Sequence, residues 1–106
     1  MKTYVTTTQL SWAVFNEPKL RPECVTDHGY YPGTPPKAFD PAVDANHALE
    51  VWAQVIGMDL QCFGGIWMHC RDFNLCRDEI VVHGRDFPIA VCIAALCSIG
   101  HECKWI

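Results

Sequence analysis

The chain has 106 residues, half of them hydrophobic and 19% charged, with a net charge of −4 and a pI near 5.6. That length suits one domain with a real core and is too short for two ordinary ones. Eight scattered Lys and Arg form no cluster able to neutralise a row of phosphates, so nucleic-acid binding is not expected. The acidic excess is likewise too thin for a DNA mimic.

The opening MKTYVTTTQLSW lacks the apolar core of a secretory signal. The longest apolar run, Ile89 to Ile99, is about half of what crosses a bilayer. A non-exported, cytoplasmic protein is expected. Seven cysteines in a reducing compartment then read as mostly free thiols, and their odd number argues against a fully paired framework.

In chain order, Tyr4-Val5-Thr6-Thr7-Thr8 is β-branched enough for a strand. Thr8 could equally cap a short helix from Gln9 to Asn16, with Leu10, Ala13, Val14 and Phe15 as apolar contacts. Residues 17–41 hold six of the seven prolines, with Gly29 and Gly33. They keep neither period and read as an irregular loop, long enough to suggest a functional segment.

Asp44 to Ile56 predicts a helix. At about 100° per residue, Ala45, Ala48, Leu49, Val51, Trp52, Ala53, Val55 and Ile56 cover one broad arc. Asn46, His47, Glu50 and Gln54 fill the rest, which makes His47 a solvated residue. Asp44 suits the N-cap and Gly57 the stop.

Met58 to Cys62 alternates as a strand does. Gly64-Gly65 offers a tight turn, and Ile66 to Arg71 returns as a second strand. Asn74 to Asp78 reads as a polar connection, and Glu79 to His83 as a third strand ended by Gly84. A closing helix starts at Pro88, with Ile89, Cys92, Ile93, Leu96 and Ile99 along one side, and stops at Gly100. The expected architecture is α+β: a small antiparallel three- or four-stranded sheet packed with two or three helices. Its order is helix, strand, strand, strand, helix after the Pro-rich loop, in a single domain spanning residues 1–106.

No cysteine pair has the two-residue spacing of a zinc knuckle. Cys92 and Cys97 sit about 140° apart on their helix and suit small core positions. A metal module would have to use Cys97, His101 and Cys103 with the Cys70/Cys76 region, yet Gly100 ends the helix before His101. Neither metal nor cofactor is expected. His69 and Cys70 face opposite sides of a strand, so no thiol dyad is legible. Asp78-Glu79 reads as a solvated connection, and Asp40 with Asp44 as favourable charges at a helix start. Nucleotide-binding, zincin and nucleophile-elbow motifs are missing from the sequence.

One feature is left over, His28-Gly29-Tyr30-Tyr31-Pro32-Gly33 in the Pro-rich segment. Tyr anchors recognition loops, so Tyr30 and Tyr31 are candidate partner-binding residues, unless one ring folds back to close the core. Trp67, in the expected hairpin, is a third.

From Phe39 to Gly100 the sequence resembles the phage α-β-α sandwich family and the related NinX-like phage and prophage proteins. The resembling residues are Phe39-Asp40-Pro41, the helix segment His47-Ala48-Leu49-Glu50-Val51-Trp52 and the Gly-Gly hairpin with Trp67. After Gly84 come Phe87-Pro88-Ile89-Ala90 and the apolar continuation Val91-Cys92-Ile93-Ala94-Ala95-Leu96. The Pro-rich loop and the density of cysteines depart from the family pattern. The resemblance implies a phage or prophage origin and brings no active-site residues. The expected function is a non-enzymatic accessory protein that binds a host protein, such as a defence-system component, with an anti-CRISPR or other anti-defence inhibitor as the narrower form. The rivals are a small Cys/His metal-binding module and a thiol-dependent enzyme.

Overall fold

Thr6 sets the first helix. Its backbone is extended and its Oγ1 accepts the amide of Gln9, while Gln9 Oε1 accepts the amide of Val5. This near-reciprocal cap follows from a Thr three residues before a Gln. It corrects the expectation of a cap at Thr8: helix α1 spans Thr7–Phe15. The residues before it, Lys2–Tyr4, form strand β1, so of the strand expected over Tyr4 to Thr8 only Tyr4 is extended in a ladder, and the β-branched Thr7 and Thr8 enter the helix instead.

In this computed structural model the described residues are 2–57, 65–69, 72–77, 80–84 and 87–105, without the side chains of 56–86. The expected strand Met58–Cys62 lies outside them. The segment expected to be irregular carries two short strands, β2 (Tyr30–Tyr31) and β3 (Lys37–Ala38), paired antiparallel. It is also packed rather than loose: Leu20, Val25, Phe39, Pro41 and Ala42 are buried.

Helix α2 spans Ala45–Gly57. Asp44 caps it as expected, its Oδ1 accepting the amides of Asn46 and His47 and its carbonyl that of Ala48. The buried stripe is Ala48, Val51, Trp52 and Val55, narrower than the wheel suggested, because Leu49 stays 48% exposed. Strands β4 (Gly65–His69), β5 (Asp72–Arg77) and β6 (Ile80–Gly84) follow, β5 pairing antiparallel with both neighbours. Asn74 to Arg77 is therefore strand, where a polar connection was expected. Asp72-Phe73-Asn74-Leu75 does alternate polar and apolar, the period of a strand, but Cys76 and Arg77 break the alternation and leave the segment without a clear pattern.

Helix α3 spans Phe87–Ser98 and is closed by Gly100 at φ +101°. The amide of Gly100 bonds the carbonyl of Cys97, and that of His101 bonds Leu96, the paired bonds of a left-handed glycine stop. Every residue from Ile89 to Leu96 is buried. The expected one-sided stripe is thus an incomplete description. Helix α3 touches α1, α2, β5, β6 and the last strand, β7 (Cys103–Trp105), and a helix covered on all sides is apolar all round. Strand β7 pairs parallel with β1, Lys2 opposite Cys103 and Tyr4 opposite Trp105. Among the described residues, three helices and several short strands thus make a small α+β fold around α3. Among the described residues no helix is long and apolar enough to cross a membrane.

Candidate functional site

Helix α1 presents Thr8, Ser11, Trp12 and Phe15 on one side, the spacing of successive turns. The β2–β3 hairpin comes up against that side. Gly29 turns the chain there at φ +85°, a conformation that side chains rarely adopt, while a Cβ would meet the Phe15 ring only at an ordinary 3.7 Å. Its carbonyl accepts the amide of Phe39, and the carbonyl of Tyr30 accepts that of Thr26. Between helix and hairpin lies a cavity of about 260 Å³ bordered by Trp12, Phe15, His28, Tyr30, Phe39 and Asp40. Trp12 is 60% exposed and Tyr30 44%. Trp12 stacks on Phe15 at 5.2 Å between centroids, and the Arg21 guanidinium sits 5.0 Å from the Phe15 ring.

The polar edge of the cavity is fixed by Ser11 and Asp40. The Ser11 hydroxyl donates to Asp40 Oδ1 at 2.6 Å and accepts the amide of Ala42 at 3.0 Å. The amide of Asp40 in turn donates to His47 Nδ1 at 3.0 Å. Ser, His and Asp thus share one neighbourhood without forming a triad. A triad histidine must take the serine proton, whereas Ser11 gives its proton to Asp40, and Nδ1 of His47 is occupied by a backbone amide.

His47 is 6% exposed, which overturns its reading as a solvated residue. The wheel placed it correctly on the side away from the α2 stripe, but the Pro-rich segment returns over that side. Tyr31 lies 4.6 Å and Phe39 6.0 Å from the imidazole, centroid to centroid. The Tyr31 hydroxyl donates to Glu50 Oε2. Burial first, then that hydrogen bond, raise the Tyr31 phenol above its usual range. Asp44 is pushed up by its own burial, but the amides of His47 and Asn46, with the His47 ring and the Lys37 ammonium nearby, outweigh this and lower it.

The three expected partner-binding residues therefore separate. Tyr30 is at the cavity rim, Tyr31 is turned inward on His47, Phe39 and Glu50, and Trp67 lies on β4 opposite Asn74 with its side chain outside the described residues. Trp12 and the Ser11–Asp40 contact were not anticipated. A tryptophan off the buried face of a short helix, opposite a Tyr-bearing loop, was the available signal for the first. Nothing local marks the second, whose partners lie 29 residues apart.

A second cluster lies where α3 ends. Cys97 Sγ is 3.8 Å from Cys103 Sγ and 3.7 Å from the Cys103 carbonyl oxygen, while His101 Nε2 is 2.7 Å from Glu17 Oε1. Hydrogen bonding from the Cys103 thiol, opposed by burial and aided by the His101 charge, brings the Cys97 thiol down to about 6. Its partner Cys103 is raised by the same bond and by burial. Among the described residues no group of three or more His, Cys, Asp or Glu is arranged to hold a metal. Cys70 lies outside those residues, as does the side chain of Cys76 on β5.

No family model, curated protein or solved structure matches this chain.

Proposed function

We propose that this chain is a non-enzymatic phage or prophage accessory protein that binds a host protein, and that the groove between Trp12 and Tyr30 is the contact. The phage origin rests on the resemblance from Phe39 to Gly100. The same reading takes β4, β5 and β6 as the antiparallel, three- or four-stranded sheet of an α-β-α sandwich. One observation carries the binding role: two large aromatic side chains stand exposed on the rim of one cavity. Tyr30, carried on an anchored hairpin, supplies contact area with little entropy left to lose.

The occupant that fits is a Lys or Arg side chain on the partner. Indole and phenol faces attract a cation, and Asp40 supplies a carboxylate at the same cavity. No Lys or Arg lines it, and the chain carries a net charge of −4. A buried aromatic or cationic anchor contributes about 2 kcal/mol or more to such a contact. The narrower form of the proposal is inhibition of a defence system.

The test is phage plating on defended bacteria that express the chain, with capture of the defence component by tagged protein. Wild type should raise plating and retain the component. Trp12→Ala and Tyr30→Ala should lose both while keeping their melting temperatures. Equal plating with and without the chain across the defended strains tried would sink the anti-defence form. Unchanged capture by both variants would remove the groove.

A second reading, a thiol-dependent enzyme, is favoured by the lowered Cys97 thiol. It lacks a free base at that site, since His101 is held by Glu17. Turnover of a thiol-ester substrate that disappears in Cys97→Ser would establish it over the binding role.

A further inference from the structure

We propose that Cys97 and Cys103 form a reactive dithiol site, which takes low-molecular-weight disulfides of the glutathione class as substrate and closes into an intramolecular disulfide. The argument begins with distance. The two Sγ atoms are 3.8 Å apart, and a disulfide requires about 2.05 Å, so each sulfur has less than an ångström to travel. Both thiols are free in this structure, and Gly100, at φ +101°, reverses the chain between them. No long-range rearrangement stands between the open and closed forms.

The two sulfurs also differ in the way sequential exchange needs. Cys97 is half-buried at the end of α3, whereas Cys103 is buried on β7. The more accessible one meets the substrate and the buried one resolves the product. Cys97, as thiolate, attacks one sulfur of the small disulfide; that S–S bond breaks and a glutathione thiolate leaves. Cys103 then attacks the Cys97 sulfur of the mixed disulfide, and its proton goes to the second departing thiolate. The protein dithiol is oxidised by two electrons, and one disulfide is reduced to two thiols. The low thiol of Cys97 fits the attacking role, since an attacking thiol works best near ambient pH. Exposed Cys24 and buried Cys92 serve as internal comparisons. The site is independent of the Trp12–Tyr30 groove, and its failure would leave the binding proposal untouched.

The test uses the full chain, reduced and then incubated with glutathione disulfide, quenched in acid, alkylated, and cleaved after Glu102. That cleavage puts Cys97 and Cys103 on separate fragments, so only a bond between them keeps the two together. The expected result is a linked fragment pair that dithiothreitol separates, with no glutathione left on Cys97. In Cys103→Ser, glutathione should remain on Cys97, because the resolving thiol is gone. Wild-type protein that keeps a stable glutathione adduct on Cys97, or whose two thiols stay free while Cys24 is modified, overturns the proposal. The wild-type measurement decides the matter even where a variant fails to fold.

Discussion

The amide of Asp40 donates to Nδ1 of His47 across 3.0 Å, tying the segment before α2 to the first turn of that helix. The neutral ring therefore carries its proton on Nε2, which lies 3.6 Å from Asp44 Oδ2. Losing the ring would leave a backbone donor without its partner and open a gap between Tyr31 and Phe39. His47→Ala should destabilise the fold by about 2–4 kcal/mol, combining an unsatisfied group with lost packing. Chemical denaturation measures it; a loss under about 0.5 kcal/mol would mean the ring is as solvated as its wheel position implied.

Trp52 is 8% exposed on the α2 stripe. Trp52→Ala should remove about 3–5 kcal/mol of stability. A change near zero, usual at surface sites, would place the opposite face of α2 against the core.

Neighbouring residues of a strand point to opposite sides, so Tyr30 and Tyr31 have different fates on β2. Tyr30→Ala should leave stability within about 0.5 kcal/mol. Tyr31→Phe should cost about 1 kcal/mol through the Glu50 bond, and Tyr31→Ala about 2 kcal/mol or more. Equal melting curves for the two alanine variants would contradict the inward turn of Tyr31.

The Cys97 thiol gives a pH signature. With its value at about 6, iodoacetamide should modify Cys97 with a rate that rises to half its plateau near pH 6. An unfolded thiol titrates near 8.5. The linkage sign follows from a lowered group: its stabilisation is present above the unfolded value and is lost as pH falls through about 6. Cys103, raised by the same bond, acts in the opposite sense and gives up its share as pH rises above the unfolded value. A Cys97 profile centred near 8.5 would show that the Cys103 thiol does not hold it. Cys103 and His101 are the groups acting on this thiol, and Glu17 holds the His101 ring.

What could be read from the sequence divides along physical lines. Helix α2 was legible because its stripe and the Asp44 cap agree with one another. The ends of α3 were legible from Pro88 and Gly100, but its central position was not: a wheel shows which side is most apolar, not how many sides are covered. His47 was misjudged for a related reason, since periodicity cannot tell that Tyr31 and Phe39 come back over the polar face. Strand β7 has three residues, too few for a period, and its partner Tyr4 lies at the other end of the chain. Of the candidate site, Tyr30 was legible as one of two adjacent tyrosines in the Pro-rich segment, though nothing local told it from Tyr31. The Ser11–Asp40 contact depends on the fold being already in place.

The parallel pairing of β1 with β7 sets an order of events. Lys2 meets Cys103, and no ladder contact there can form until nearly the whole chain is available. Contacts so far apart in sequence carry the largest loop-closure penalty and belong late in folding. Helix α2, the β4–β6 strands and α3, which follow one another closely in sequence, should assemble first and help bring the two ends together. The same reasoning makes this two-stranded seam the first part to open, so its amides should exchange with solvent deuterium ahead of those in α3. Cys103 belongs to that seam, and each opening would bring the resolving thiol out to solvent without unfolding the centre of the molecule.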